Sequence, residues 1–200
     1  LKAGLESEET KKFAVSVLNH MREKLIGYQM EYGNLYGLEA TPAESATFRF
    51  ARLDRERFSG IRTAGHEGDT PYYTNSTKLP ADYDGTLQGA LINQDSLQPL
   101  YTTGTVFHVY MERELEDWKK ARDLLSSMIT EHHIPCFTLS PVYTICQTCG
   151  YLPGRQERCP KCNGAADVYS RIAGYYRPVH DWNDGKAQEF RNRIMFRIGE

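Results

Sequence analysis

Four cysteines form the most chemically specific pattern in this 200-residue chain. They make two C-x-x-C pairs separated by nine residues, at Cys146, Cys149, Cys159 and Cys162. A glycine follows each pair closely, and glycine permits the tight turn in which two thiolates converge. Two such turns can close a tetrahedral shell around one Zn²⁺, and an all-thiolate shell leaves no position open for water. The pattern therefore predicts a structural zinc site, with redox dithiols, disulfides or an iron-sulfur cluster as alternatives.

Two further residues could carry chemistry outside this cluster. Gly174 lies between apolar and aromatic neighbours, within residues 172–176. The local sequence alone favours a conformational explanation, in which glycine permits a turn or a close approach of the backbone. Cys136 stands apart in an apolar segment. We expect it to be a buried strand cysteine, with a redox or radical role as the alternative.

A third pattern could bind phosphate. Residues 41–44 form a capping box with proline at the first helical position, so a helix is predicted to begin there. Free N–H groups and the helix dipole make such a start an anion site, and nearby hydroxyls add donors. Plain capping is the alternative, and Glu44 would repel phosphate unless it folds back on the cap.

Two polar turns near predicted strand ends, 75–76 and 102–105, could also line an active site. Together with the helix start they give the candidate substrate-binding residues Thr41, Ala43, Ser45, Thr47, Asn75, Ser76 and Gly104.

Composition excludes several classes of protein. Charged residues make up 25% of the chain and the formal net charge is −2, so there is no basic footprint for nucleic acid. The apolar stretches are short, which predicts no membrane span, and the first residues lack the apolar run of a secretory signal. Clustered cysteines without a secretory context predict a reducing cytoplasm. Because the first residue is Leu1, we expect the chain to be a piece of a longer protein.

The elements that position these residues follow from periodicity and caps. Helices are predicted at about 6–32, 41–57 and 113–131, with long loops from 59 to 100 and a short strand at 71–74. Strands at 106–111 and 134–139 flank the third helix, so a βαβ unit with a parallel sheet is expected. We divide the chain into an α/β part (1–140), a cysteine-rich insert (141–166) and a polar tail (167–200) that depends on the rest for its structure.

The tail also resembles a known family. Residues 171–175 read Arg-Ile-Ala-Gly-Tyr, which is similar to the R-V-x-G-Y motif of glycyl radical enzymes, with Ile172 in place of valine. The four cysteines just before it narrow the resemblance to the C-terminal portion of anaerobic (class III) ribonucleotide reductases, which act on ribonucleoside triphosphates. Segments 98–108, 176–179 and 182–186 are also similar to that family, and the resemblance runs from about residue 39 to the end.

The resemblance implies an architecture and a role for each part. The chain would supply part of the ten-stranded α/β barrel of glycyl radical enzymes, then a four-cysteine zinc ribbon and an extended C-terminal radical loop. Gly174 would store a radical made by a separate activase that carries an iron-sulfur cluster and S-adenosylmethionine. The helix start at 41–47 would hold the phosphates of a ribonucleoside triphosphate, which the enzyme reduces to a deoxyribonucleotide.

The resemblance also implies that these residues do not catalyse alone. The family's thiyl cysteine lies earlier in the full chain, and Cys136 does not fit its position. An N-terminal catalytic portion, in the same chain or a second one, would be needed, and the full oxygen-sensitive enzyme is expected to be a homodimer. The electron donor, formate or a dithiol protein, stays open. The alternatives are a zinc-ribbon module that binds nucleic acid or protein, and a spare part that replaces an oxygen-cleaved tail.

Overall fold

The computed structural model of the chain describes residues 4–66 and 68–198, and within them the fold is α/β. The helices are α1 (Glu8–Tyr32), α2 (Ser45–Arg57), α3 (Leu87–Asp95), α4 (Trp118–Glu131) and α5 (Asp184–Asn192). The strands are β1 (Phe107–Met111), β2 (Phe137–Pro141), β3 (Tyr143–Cys146), β4 (Gly150–Pro153), β5 (Ala166–Arg171) and β6 (Tyr176–Pro178). Two short 3₁₀ turns follow α3 and β6, at Gln98–Leu100 and Val179–Asp181.

The predicted βαβ unit is present. Strands β1 and β2 are parallel, with Phe107 opposite Phe137 and Met111 opposite Pro141, and α4 connects them. Helix α4 begins five residues later than the predicted 113, because the Asp117 side chain accepts a hydrogen bond of 2.8 Å from the backbone N–H of Lys119. Buried residues of β1, α3 and α4 form a common apolar core.

The second sheet is antiparallel, with the strand order β4-β3-β5-β6. Strand β3 ends at Cys146, and it pairs with β4 on one side and with β5 on the other. Strand β5 therefore connects the cysteine-rich segment directly to the tail. The described residues form one sheet of two strands and one of four, so they do not themselves close a ten-stranded barrel.

The start of α2 differs from the prediction. The segment before it is held extended, because Glu39 pairs with Gly104 and the backbone N–H of Ala40 donates to the carbonyl of Gly104 at 2.8 Å. The helix begins at Ser45, and Glu44 at the N-cap position makes no side-chain capping bond. The capping box predicted at 41–44 is therefore wrong, because backbone pairing overrides the local signal. The strand predicted at 71–74 reduces to a single bridge.

Two helices that were predicted from periodicity expose large apolar side chains. In α1 the side chain of Phe13 is 56% exposed, and the one buried residue of the helix is Leu18. In α4 Trp118 and Ile129 are 67% and 68% exposed, and the buried residue is Met128. Periodicity therefore located both helices, but it did not identify the face of each helix that packs against the other described residues.

The tail has more regular structure than its composition indicated. Helix α5 begins at Asp184, and it is capped by Asn183, whose side chain accepts a 2.9 Å hydrogen bond from the Lys186 N–H. Trp182 and Phe190 pack against residues of the antiparallel sheet in a separate apolar cluster. No helix in the described ranges has the length and apolar character needed to cross a membrane.

Candidate functional site

The four paired cysteines converge at one point. Their Sγ atoms all lie within 4.8 Å of one another, and all five cysteines of the chain are free thiols. The first pair is positioned by the β3–β4 turn, where the N–H of Cys149 donates to Cys146 Sγ at 3.4 Å. A compact set of four thiolate donors suits a tetrahedral zinc ion.

Backbone geometry at both turns explains the residues beside the thiols. Gly150 has a φ of +78°, in the left-handed region that favours glycine. In the second turn Asn163 has a φ of +58° and donates its N–H to the carbonyl of Cys159 at 2.8 Å. A Cβ added at Gly164 would lie only 3.3 Å from Cys162 Sγ. Gly150 in the first turn and Gly164 in the second therefore allow the backbone to bring two thiols together.

The thiols have opposite protonation tendencies. Burial alone would raise the pKa of Cys159, but N–H groups of Cys162 and Lys161 hold that pKa down at about 6. Hydrogen bonding with Cys162, together with burial, raises the pKa of Cys149 to about 12. Close thiols that cannot all ionise together need a cation, which is how a metal ion stabilises four thiolates.

Gly174 lies in the four-residue loop that joins β5 to β6. The loop is closed by a 3.1 Å hydrogen bond from the Ile172 N–H to the carbonyl of Tyr175. Ile172 and Ala173 are buried, whereas Gly174 is exposed in this chain. The guanidinium of Arg171 donates from Nη1 to the carbonyl of Gly174 at 2.9 Å.

Neither the backbone nor the packing requires glycine at this position. Gly174 is absent from the glycines with positive φ, and a Cβ built on it would meet no atom within 4 Å. The chain does turn at Gly174, as expected, but neither the turn nor a close backbone approach requires glycine there. A side chain would fit here, so the reason for glycine is not conformational within the described residues.

The start of α2 lies beside this loop. Glu44 contacts the loop through its side chain, since the hydroxyl of Tyr175 donates to Glu44 Oε2 at 3.3 Å. The amide of Asn75 donates to the carbonyl of Ala43 at 3.0 Å, and the amide of Asn183 donates to the carbonyl of Glu44 at 3.4 Å. The structure thus brings the helix start, one polar turn and the glycine loop together.

A cavity of about 110 Å³ lies between the glycine loop and the segment before α2, and Pro42 and Asn75 are among its lining residues. Its wall includes Ala173 of the loop, His108 of β1, and several charged residues described below. His108 Nδ1 lies 2.8 Å from Thr138 Oγ1, and Thr138 lies 2.9 Å from Ser140 Oγ. Ser140 Oγ in turn accepts a 2.9 Å hydrogen bond from Arg171 Nε. A continuous polar path therefore runs from the cavity to the glycine loop.

Comparison with known proteins decides the family. A sequence profile described as Anaerobic ribonucleoside-triphosphate reductase matches residues 2–196 of this chain. The chain belongs to this family.

Individual relatives share the same name. The chain is 24% identical to the anaerobic ribonucleoside-triphosphate reductase of Haemophilus influenzae, over 94% of this chain and 28% of that protein. It is 22% identical to the enzyme of that name from Escherichia coli, over 94% and 27% of the two chains. The phage T4 protein of that name is 25% identical, over 89% and 30%. The chain therefore spans less than a third of the curated reductases it matches.

Solved structures show the same fold. An anaerobic ribonucleotide reductase superimposes with a TM-score of 0.75 at 22% identity, covering 95% of this chain and 29% of that one. The Thermotoga maritima anaerobic ribonucleotide reductase in complex with dATP and CTP gives a TM-score of 0.71 at 22% identity, covering 92% and 29%.

Thr41, Ser45 and Thr47 lie at or just before the start of α2, and Gly104 pairs with the extended segment that precedes it. Thr41 donates its hydroxyl to Glu39 Oε2 at 3.2 Å, and Gly104 pairs with Glu39. Thr47 is buried and donates its hydroxyl to the carbonyl of Glu44 at 2.9 Å. Ser45 is exposed at the first position of α2. Ser76 has a φ of +51°, so it occupies a left-handed turn.

Sequence reasoning missed several charged residues beside the site. Lys78, Lys186, Glu189 and Arg193 line the cavity behind the glycine loop. The spacing of Lys186, Glu189 and Arg193 was the available signal. Residues three and four positions apart lie on one face of a helix, where opposite charges can pair. Cys136 is exposed just before β2, so its prediction as a buried strand cysteine is wrong.

Proposed function

We propose that the chain is the radical-bearing C-terminal part of an anaerobic ribonucleoside-triphosphate reductase. The observation that carries the proposal is the glycine at position 174, which the fold itself does not need. Family membership and the convergent cysteines just upstream support it. The reaction of the whole enzyme is the reduction of ribonucleoside triphosphates to deoxyribonucleoside triphosphates, with the missing N-terminal portion supplying the thiyl cysteine.

Glycine has a chemical advantage as a radical store. When the Cα–H bond of Gly174 breaks, the hydrogen atom leaves with the oxidant generated by the activase, and one unpaired electron stays on Cα. The adjacent amide nitrogen and carbonyl both delocalise that electron, most effectively when the centre is planar, and a side chain would crowd the plane. The hydrogen bond from Arg171 to the Gly174 carbonyl supports this delocalisation. Exposure of Gly174 in this chain leaves the hydrogen open to an activase.

The cysteine cluster has a structural part in the proposal. Cys146, Cys149, Cys159 and Cys162 would hold one Zn²⁺, which supplies a cross-link between the β3–β4 turn and the segment before β5. No position would remain for water or substrate. The free thiols support a reducing cytoplasmic location.

The segment around α2 would bind the triphosphate. Backbone N–H groups at the start of α2, with Thr41, Ala43, Ser45 and Thr47, would face the phosphates, and Asn75, Ser76 and Gly104 would complete the wall. Support comes from the contacts that tie this helix start to the polar turn at Asn75 and to the glycine loop at Tyr175. The hydroxyls of Thr41 and Thr47 already donate to protein oxygens, so the phosphates would depend mainly on backbone N–H groups.

The rest of the architecture extends beyond the described residues. We propose that β1, α4 and β2 are part of a ten-stranded barrel that the missing portion completes, in a homodimeric enzyme. The division into residues 1–140, 141–166 and 167–200 is kept, with β5 at the junction of the second and third parts.

Electron paramagnetic resonance on the full-length protein tests the proposal. The protein is mixed anaerobically with its activase, S-adenosylmethionine and a reductant, and Gly174→Ala is compared with Gly27→Ala, a glycine that also has no atom within 4 Å of an added Cβ. We expect a doublet in the parent and in Gly27→Ala, and none in Gly174→Ala. Glycine deuterated at Cα should collapse the doublet to a single line. A doublet that persists in Gly174→Ala would remove the radical from this position.

A further inference from the structure

The cavity behind the glycine loop has an unusual excess of positive charge. Lys78, Lys186 and Arg193 line it, and the acid among its described lining residues is Glu189 alone. Lys186 and Arg193 are only 2% and 7% exposed. Buried cations are rare in proteins unless each has an anionic partner.

Glu189 cannot balance this charge. One of its oxygens, Oε2, lies 2.6 Å from Lys186 Nζ, and the other, Oε1, lies 3.0 Å from Arg193 Nη2. Both carboxylate oxygens are therefore engaged, and Lys78 has no ion pair among the described residues. Burial and the neighbouring Lys186 lower the pKa of Lys78, and Glu189 offsets this only in part.

Arg193 supplies a second observation. Its Nη atoms donate to Ser170, to the carbonyl of Arg171 and to Glu189. Its Nε is buried and has no hydrogen-bond partner in the described part of the chain. A buried guanidinium N–H without an acceptor is uncommon and indicates a missing anionic or neutral acceptor.

We propose that this cavity binds one small oxyanion, held by Lys78, Lys186 and Arg193. A volume of about 110 Å³ is several times the roughly 10–15 Å³ that one water needs. It lies well below the roughly 300–1,000 Å³ of pockets that enclose larger ligands. A carboxylate, sulfate or phosphate ion fits this chemistry.

The oxyanion would bind directly behind the glycine loop. Ile172 and Ala173 form part of the cavity wall, and Gly174 follows them on the exposed side. Occupancy would fasten α5, which carries Lys186, to the loop that carries Lys78. This proposal does not depend on radical chemistry, so it can fail while the proposed function holds.

Calorimetric titration with sodium sulfate and with sodium acetate tests the site. The matched variants are Lys78→Gln, which removes a cavity cation, and Lys119→Gln, which removes an exposed one in α4. We expect one site per chain, affinity weakened about tenfold or more in Lys78→Gln, and an unchanged affinity in Lys119→Gln. The preferred ion distinguishes a planar from a tetrahedral oxyanion. Equal binding by both variants, or no binding by the parent, would refute the site.

Stability measurements provide a second test in case Lys78→Gln folds too poorly for a binding measurement. Without oxyanion, Lys78→Gln should melt at the same temperature as the parent or higher, because it removes a half-buried ammonium that has no ion pair among the described residues and lies near Lys186. The parent should gain more stability from sulfate than the variant does. If Lys78→Gln is instead less stable than the parent without oxyanion, Lys78 already has a protein partner and the proposal fails.

A third test is anomalous diffraction from crystals of this chain and of the full-length protein, both soaked in selenate. An anomalous selenium peak between Lys78 and Arg193 in both proteins supports the site. A peak confined to the short chain, with an acidic side chain of the longer protein in the cavity, would overturn the proposal.

Discussion

Arg171 donates a hydrogen bond of 2.9 Å from Nη1 to the carbonyl oxygen of Gly174, three residues further along the chain. The same guanidinium is fixed by Ser140, which accepts from Nε at 2.9 Å, and it lies 4.8 Å from the ring centre of Tyr176. A charged donor therefore holds the glycine carbonyl in one orientation. Lysine could not replace it, because one ammonium cannot reproduce the two planar donors.

On the proposed function, Arg171 is a positioning residue for the radical. Loss of a charge-assisted hydrogen bond costs about 1.5–3 kcal/mol. The amount of radical that accumulates in Arg171→Gln should therefore be lower than in the parent by about tenfold or more. The doublet splitting should widen, because more spin density stays on Cα. Electron paramagnetic resonance on the full-length protein measures both quantities. Arg177→Gln, an exposed arginine just beyond the loop, is the control and should match the parent. Unchanged yield and splitting in Arg171→Gln would assign Arg171 a purely structural role.

Gly174→Ala should fold normally. No atom lies within 4 Å of the added Cβ, and φ is not positive. The free energy of unfolding should therefore fall by less than about 0.5 kcal/mol, or rise by up to about 1 kcal/mol. Gly33→Ala is the comparison, because its φ of +70° should cost about 1–2 kcal/mol. Urea denaturation followed by circular dichroism measures both. A larger loss in Gly174→Ala than in Gly33→Ala would restore the conformational explanation.

Zinc content should depend on the clustered thiols and not on the isolated one. The parent should contain one zinc per chain, Cys159→Ser should contain little or none, and Cys136→Ser should equal the parent. Elemental analysis of purified protein measures this. A chelator should also speed amide hydrogen exchange in β3, β4 and β5, because the segment between the turns has few apolar contacts of its own. Equal zinc in Cys159→Ser would place the metal elsewhere.

His108 should make stability depend on pH. Burial, helped by Lys78, Arg171 and other cations, lowers the pKa of His108 from 6.5 to about 3. Between these values the unfolded chain binds a proton that the folded chain does not, so stability falls as the pH drops below 6.5. The slope from this residue is at most about 1.4 kcal/mol per pH unit.

The matched variants for this prediction are His108→Gln and His20→Gln, the second at an exposed position of α1. Urea denaturation from pH 4.5 to 6.5 in buffer without small oxyanions should show a flatter profile in His108→Gln alone. Identical slopes in both variants would mean that His108 is not the group that titrates.

Glu189 should be the most costly acid to remove. Burial alone would raise its pKa, but Lys186 and Arg193 hold that pKa below its ordinary value. Its stabilising contribution is therefore present above the ordinary carboxylate pKa of about 4.3 and is lost as the pH falls through the lower, folded value. Glu189→Gln should lose about 3–5 kcal/mol near neutral pH, since two buried cations lose their partner. Thermal and urea unfolding against the exposed Glu157→Gln measure the loss, and equal stability of the two would contradict it.

Local signals predicted the parts of the fold that depend on local interactions. The β1–α4–β2 unit follows from strand and helix patterns with short connections, and the meeting of the four thiols follows from the C-x-x-C spacing. The predicted start of α2 failed because a distant strand-like pairing with Gly104 keeps residues 39–40 extended. Such pairing has no signal in a window of a few residues.

Helix α5 was missed for a different reason. Its buried residues include Lys186 and Gln188, so the face that packs inward does not have the apolar period by which helices are recognised. The same polar burial concealed the cavity, because Lys78 and Arg193 are far apart in sequence and have ordinary surface residue types. Where charged groups form part of an interior, hydrophobic periodicity gives little information about which side faces in.

Strand β5 joins the two chemically distinct ends of this molecule. Its six residues start four positions after Cys162 and finish three before Gly174, a span of roughly 20 Å of extended chain. Because β5 is paired on both edges, with β3 and with β6, it cannot bend like a free linker. Any excursion that carries Gly174 towards another protein must therefore either break these strand pairings or move the cysteine-bearing turns with it, as one rigid lever.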